Sequence, residues 1–110
     1  MANKYLRKYS IPSATTETTL YTVPAANTAI ASSLRITNAN ASNALITVSV
    51  YPLGGGTEYF LLKSYSLPTG GTMDALSGVS LILEASDVLK IEASVATVHF
   101  YFSYLEIDRN

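Results

Sequence analysis

The chain contains no cysteine, no tryptophan and a single histidine, His99, among its 110 residues. Without cysteine it cannot form a disulfide framework, a thiolate zinc site or a cysteine nucleophile. One histidine needs carboxylate partners to act in catalysis or metal binding, and the eight acidic residues are scattered along the chain, with Glu84 and Asp87 close together at a predicted turn. These absences predict a protein that is not an enzyme and has no catalytic residues, no metal and no cofactor.

Long apolar runs are also missing. No stretch approaches the roughly 20 residues that a membrane-spanning helix needs. The N-terminus, Met-Ala-Asn-Lys-Tyr-Leu-Arg-Lys, is basic but is not followed by the apolar segment of a secretory signal. We therefore expect synthesis in the cytoplasm without export by that route, and no membrane partner.

Charge is sparse, at 14% of residues, and is unevenly distributed. Lys4, Arg7 and Lys8 give the first ten residues a charge of +3, whereas the remainder has four basic and eight acidic residues, a net of −4. Nucleic-acid binding calls for a basic face, so this distribution predicts no nucleic-acid partner. It favours docking of the basic segment on an acidic neighbour, including another copy of the chain.

Alternation of apolar with hydroxyl or charged residues is the dominant pattern and is typical of half-buried β-strands. The segment 97–107 places four apolar or aromatic side chains on one face and is predicted to be a central strand: Val98, Phe100, Phe102 and Tyr104. His99 falls on its other face with Tyr101 and Ser103. In 29–38 the alternation predicts Ile30, Leu34 and Ile36 on one face and these residues on the other: Ala29, Ala31, Ser33, Arg35 and Thr37.

Further strands are predicted at 17–23, 45–51, 58–67, 72–76, 79–83 and 88–94, separated by turn-forming residues. Residues 75–89 would also tolerate a helical turn. About eight short strands with frequent turns predict an all-β fold, a single antiparallel β-sandwich or jelly-roll-like domain over residues 14–110. Residues 1–13 are predicted to form an N-terminal arm, which either docks on a neighbouring subunit or pairs as a strand of the protein's own sheet.

Two short motifs indicate turns rather than sites. Tyrosine, a hydroxyl residue, an aliphatic residue and proline recur at 9–12, 21–24 and 65–68. Because proline lacks the N–H that a sheet ladder needs, each copy predicts a strand end, with tyrosines displayed at sheet edges as the alternative. The glycines at 54–56 lack the Lys-Ser/Thr of a phosphate-binding loop and predict a hairpin tip.

Eight tyrosines and the basic segment supply the candidate functional residues. Tyrosine and arginine are the types that most often anchor protein interfaces. A sugar-stacking surface is the alternative, although the absence of tryptophan counts against it. The predicted interface comprises Lys4, Tyr5, Arg7, Lys8, Tyr9, His99 and Tyr101. The outward face of the last strand, which also bears Leu105 and Ile107, is apolar enough to predict a cover from a second sheet or another chain.

The segments Leu-Tyr-Thr-Val-Pro-Ala at 20–25, Leu-Arg-Ile-Thr-Asn at 34–38 and Leu-Glu-Ala-Ser-Asp-Val-Leu at 83–89 resemble small virion structural proteins of tailed bacteriophages, particularly cyanophages. The resemblance implies a homo-oligomeric protein located in the virion and made in the host bacterial cytoplasm. It implies a capsid decoration or cement protein that contacts the major capsid protein, with a neck, tail or fibre subunit as the alternative. A host-glycan-binding module is the alternative of a different class, and no small-molecule substrate is expected.

Overall fold

A computed structural model describes residues 3–108 and contains nine β-strands and one 3₁₀ turn in that range. No helix of the described chain is long and apolar enough to cross a membrane. The strands are β1 (Asn3–Ser10), β2 (Thr18–Thr22), β3 (Asn27–Asn38), β4 (Ala44–Tyr51), β5 (Tyr59–Leu67), β6 (Thr72–Asp74), β7 (Leu81–Leu83), β8 (Val88–Ala93) and β9 (Val98–Asp108).

The strands form two antiparallel sheets that pack face to face. Sheet I has the order β1-β9-β3-β6, with β7 also paired to β3, and sheet II has the order β2-β8-β4-β5. When β6 and β7 are treated as two halves of one edge strand, the chain alternates between the sheets except at the β4–β5 hairpin, which lies within sheet II, as in an eight-stranded jelly roll. The predicted sandwich or jelly-roll fold is confirmed, as is the central position of the last strand, since β9 lies between β1 and β3.

The core lies between the two inner faces and is richest in aromatic rings beside β9. Phe100, Phe102 and Tyr104 are all buried there, as the alternation predicts. Tyr21 from sheet II meets them, with ring centroids 4.4 Å from Tyr104 and 5.7 Å from Phe102. Such tilted contacts add roughly 0.5–1.5 kcal/mol each beyond the burial of area.

Strand β3 departs from the predicted alternation because it contains a bulge. The register to β9 shifts between Ala31 and Ser33, so one residue, Ser32, is inserted. As a result Ala29 and Ala31 are buried with Leu34, whereas Ile30 moves to the outer face opposite Ile82. The predicted grouping of Ile30 with Leu34, and of the two alanines with the outward residues, was wrong.

The connections follow the turn signals. The glycines at 54–56 lie in the hairpin between β4 and β5, next to a 3₁₀ turn at Pro52–Gly54. Residues 75–89 form turns around the short strand β7, with no helical turn. All three Tyr-x-x-Pro motifs end strands, namely β1, β2 and β5, and each of these lies at a sheet edge. Tyr9 and Tyr65 are exposed there, but Tyr21 points into the core.

The N-terminal segment is a strand of the protein's own sheet in this structure. Each residue of β1 is paired in register with β9, from Asn3 opposite Ile107 to Ser10 opposite Phe100. The boundary predicted at residue 13 falls in the connection between β1 and β2. Of the two alternatives for residues 1–13, the described residues show the own-sheet strand, and docking on a neighbouring subunit stays a prediction.

One buried polar side chain at the end of β3 connects the β3–β4 loop to the end of β5. Asn38 is fully buried, and its amide donates to the backbone carbonyls of Leu67 and Ser42, each at 2.9 Å. Its side-chain oxygen accepts from the backbone N–H of Asn40, also at 2.9 Å. Because a buried amide must satisfy both its donors and its acceptor, this position demands asparagine in particular.

Candidate functional site

The histidine and the acidic pair do not meet. His99 is exposed on the outer face of sheet I, opposite Thr37, on the face predicted for it. Asp87 accepts from the backbone N–H groups of Leu53 at 3.0 Å and Glu84 at 2.9 Å, so it fastens the turn before β8. Within residues 3–108 no group of three or more His, Cys, Asp or Glu side chains could hold a metal ion.

A second carboxylate is committed to the backbone in the same way. Asp74 accepts from the N–H groups of Leu34 and Leu76, each at 3.0 Å, and of Gly78 at 3.3 Å. Both Asp74 and Asp87 therefore shape turns. Backbone N–H groups in turns have no partner in a neighbouring strand, so a side-chain carboxylate can serve as their hydrogen-bond acceptor.

Glu106 forms a polar cluster that sequence alternation does not reveal. Its carboxylate accepts from the Tyr21 hydroxyl at 2.5 Å and from the Asn27 side-chain amide at 3.1 Å. Burial, and then the hydrogen bond to the Glu106 carboxylate, raises the pKa of Tyr21 well above its ordinary value of 10.0. With one hydrogen bond at each carboxylate oxygen, the cluster joins the two sheets.

This cluster predicts a loss of stability in alkali. Below pH 10 the Tyr21 phenol is protonated in both the folded and the unfolded chain, so its contribution is complete. Above pH 10 the unfolded chain releases the proton first, and the free energy of unfolding falls as pH rises. Tyr21→Phe should lower stability at pH 7 by about 1.5–3 kcal/mol, for the lost bond to a charged acceptor, and should flatten the alkaline decline. Denaturant titrations from pH 7 to pH 11 measure both effects; an equally steep decline in the variant would contradict the assignment.

The predicted interface residues come together mainly on the outer face of sheet I. Pairing of β1 with β9 sets Tyr9 opposite Tyr101 and Arg7 opposite Ser103. The two tyrosine rings stack at 6.0 Å, and the Arg7 guanidinium lies 5.9 Å from the Tyr9 ring centroid. Tyr5, 86% exposed, extends the row. We call these side chains, together with His99, the Tyr–Arg face: Tyr5, Arg7, Tyr9, His99 and Tyr101.

The two remaining candidates point the other way. Lys4 and Lys8 lie opposite Glu106 and Phe102, so they share the inward-facing side of β1. That side is not covered by sheet II, and Lys8 lines an open groove of about 840 Å³ that β1 and β2 border. The structure therefore divides the seven predicted residues between the two faces of sheet I, with five on the Tyr–Arg face and two on the inward-facing side of β1.

Arg35 joins the Tyr–Arg face from β3, and sequence analysis did not select it. It lies opposite Tyr101 and is exposed. A shallow groove of about 570 Å³ there is lined by Ser33, Arg35, Thr37, His99, Tyr101 and Ser103. Between residues 3 and 108 the ion pair present is Lys90–Glu17, at 4.0 Å, so Arg7 and Arg35 have no carboxylate partner in this range. The outer face thus presents aromatic rings and unpaired cations together.

His99 is expected to contribute little by itself. Replacement of this exposed imidazole by alanine should change the free energy of unfolding by no more than about 0.5 kcal/mol, as for other surface substitutions away from special features. Chemical denaturation measures the change, and titration with Zn²⁺ or Ni²⁺ followed by calorimetry is the companion test. A single divalent ion bound by the parent chain and lost from His99→Ala would refute this expectation.

Comparisons with known proteins give a fold but no family. No family model matches the sequence, and no curated protein matches it. Among solved structures, a protein of the disulfide-linked pili of Bacillus endospore appendages superposes with a TM-score of 0.60 at 13% identity, covering 99% of this chain and 88% of that one. A protein of the T13 particle of IBDV gives a TM-score of 0.57 at 13% identity, covering 94% of this chain and 30% of that one.

The infectious bursal disease virus VP2 subviral particle gives a TM-score of 0.55 at 15% identity, over 98% of this chain and 33% of that one. The chain therefore spans about a third of the length of these viral proteins and most of the length of the pilus protein. At such identities the likeness establishes a shared jelly-roll fold, one that viral particle proteins and a pilus protein have in common.

Proposed function

We propose that this chain is a non-enzymatic structural protein of a tailed-phage virion, and that it acts as a capsid decoration or cement protein. The observation that carries the proposal is the Tyr–Arg face, a row of exposed tyrosines on paired strands beside arginines that have no carboxylate partner among residues 3–108. Large amphipathic rings and guanidinium groups are the side chains that anchor protein interfaces. Because they project from paired strands, little ordering entropy is lost when a partner covers them.

The shared fold supports a role in assembly. One of the similar structures is of an icosahedral viral particle, and another is of disulfide-linked pili. This chain has no cysteine, so it cannot reproduce disulfide linkage between subunits. Its contacts with other virion proteins, including the major capsid protein, therefore need no disulfide bond.

A cement protein acts by mass action. A ligand that binds the closed shell, and not the separated subunits, stabilises the shell in proportion to the logarithm of its free concentration over its dissociation constant. A repeated, symmetric lattice multiplies this contribution across many equivalent joints. The protein needs only a stable fold and a complementary surface, and no reacting group.

The experiment compares virions made with the gene intact and with the gene deleted. Heating in a dye that reports exposed DNA gives the temperature at which the shell opens. We expect the deficient particles to open at lower temperature and added recombinant protein to restore the original value. Equal opening temperatures, or protein that does not bind deficient particles, would contradict the cement role. Particles that lack tails or lose DNA through the neck would instead support a neck or tail subunit.

A glycan-binding role is the second candidate, supported by one specific observation. The groove around Arg35 and His99 is lined by hydroxyl groups beside the Tyr9–Tyr101 stack. Hydroxyl donors next to an aromatic ring can hold a sugar. A host surface-polysaccharide preparation that binds the isolated protein, and binds Tyr101→Ala at least tenfold more weakly, would favour this function over cementing.

A further inference from the structure

Among the edge strands of the described chain, β1 has the longest uninterrupted register. Its pairing to β9 has no shift along eight residues, whereas the pairings of β2 and β5 contain shifts and β6 and β7 have three residues each. On the side away from β9, no strand of residues 3–108 pairs with β1. Its backbone N–H and C=O groups on that side are therefore available to another strand.

The charges of β1 oppose pairing with a second β1. In an antiparallel pair, side chains on the same face lie opposite one another, and like charges in that position are destabilising. If the pair is centred on Leu6, Lys4 of each copy lies opposite Lys8 of the other. If it is centred on Arg7, the two Arg7 side chains lie opposite one another. Charge repulsion therefore disfavours both registers that would pair most of β1 with a second β1, although the backbone N–H and C=O groups of this edge are unpaired among residues 3–108.

The same positions define the strand that β1 would accept. We number an antiparallel partner strand from the residue that lies opposite Lys8. Acidic residues at its positions 1, 2 and 5 then lie opposite Lys8, Arg7 and Lys4. Residues between them lie opposite Leu6 and Tyr5, where β-branched or aromatic side chains pack well. Two of the acids then meet the lysine face of β1, and the third meets Arg7 on the Tyr–Arg face.

No segment of this chain has that pattern. Its acidic residues have no two adjacent members, and the nearest match, Glu84 with Asp87, lies in a turn where Asp87 already accepts two backbone N–H groups. We therefore propose that β1 is a receptor edge for an extended acidic segment of a different protein, which adds to sheet I as a further strand. This inference rests on the proposed role in assembly and specifies the chemistry of a partner that binds at the edge beside the Tyr–Arg face.

The test uses a synthetic peptide, Thr-Glu-Glu-Val-Thr-Glu-Thr, and the full chain labelled with ¹⁵N. We expect amide shifts confined to β1 and β9, and binding that weakens as salt increases. Lys8→Glu should weaken binding at least tenfold. The matched control Lys63→Glu, an exposed lysine on edge strand β5, should leave it unchanged. A peptide with lysine in place of its first glutamate should recover binding to Lys8→Glu.

Several results would overturn the proposal. These are no binding by the peptide, shifts at another edge, an unaltered affinity of Lys8→Glu, and shifts of the β1 amides on concentration of the protein alone. The first would show that the cations only prevent edge-to-edge aggregation, and the last would show self-pairing. If the peptide does not bind but the protein still stabilises virions, the Tyr–Arg face remains the docking surface and only the β1 proposal fails. If the protein does not stabilise virions, the proposed function itself fails, so the two outcomes are distinguishable.

Discussion

Replacement of Asn38 by alanine is expected to lower the free energy of unfolding by about 2–4 kcal/mol. The variant leaves the buried carbonyl of Leu67 without its donor, and an unsatisfied buried acceptor costs roughly 1–3 kcal/mol. It also removes the bonds to Ser42 and Asn40 that hold the loop after β3.

Asn43→Ala is the matched control, because Asn43 is exposed in the same loop and accepts one long bond, from Thr69 at 3.4 Å. It should cost no more than about 0.5 kcal/mol. Urea denaturation of both variants gives the comparison. A loss at Asn38→Ala equal to that of the control would show that the buried amide is not a major stabilising element.

The double variant Arg7→Glu with Tyr9→Ala is expected to abolish attachment to virions while the chain stays folded. Truncation of a central interface tyrosine or arginine commonly costs at least about 2 kcal/mol, roughly thirtyfold in affinity, and the two residues here contact each other. Both side chains are exposed in the isolated chain. The free energy of unfolding should therefore fall by only about 1 kcal/mol, chiefly from the lost stack with Tyr101.

Co-sedimentation of recombinant protein with gene-deleted virions measures attachment. Tyr65→Ala is the control, since Tyr65 is 48% exposed on the edge strand of the other sheet. It should sediment with virions as the parent chain does. Normal attachment of the double variant, or an equal loss of attachment in Tyr65→Ala, would show that the Tyr–Arg face is not the surface that binds virions.

Much of the fold could be predicted because alternation reports burial directly. Strand β9 shows this best, because Phe100, Phe102 and Tyr104 are buried as their spacing predicts. The length and aromatic content of this segment also predicted its central position in the sheet. Alternation gave the wrong faces at β3, because the inserted Ser32 reverses the side of the sheet on which Ile30 and its neighbours lie. A bulge is decided by pairing with other strands, so local sequence gives no sign of it.

The candidate site could be predicted only in part for a related reason. Residue type selected Arg7, Tyr9 and Tyr101, but their contact depends on the pairing of strands from opposite ends of the chain. Arg35 was missed because its place beside Tyr101 follows from the register of β3 on β9. Glu106 was missed because its two donors lie about eighty residues away in sequence. Long-range pairing, which no local pattern encodes, assembled both clusters.

We propose that this chain is a repeated structural component of a virion shell. Quantitative mass spectrometry of purified virions, with the major capsid protein as internal reference, tests it most directly. We expect a copy number that is a simple fraction of that of the shell protein, as symmetry-related binding sites require. A protein absent from purified virions, or present in only a few copies beside a full complement of shell protein, would contradict it.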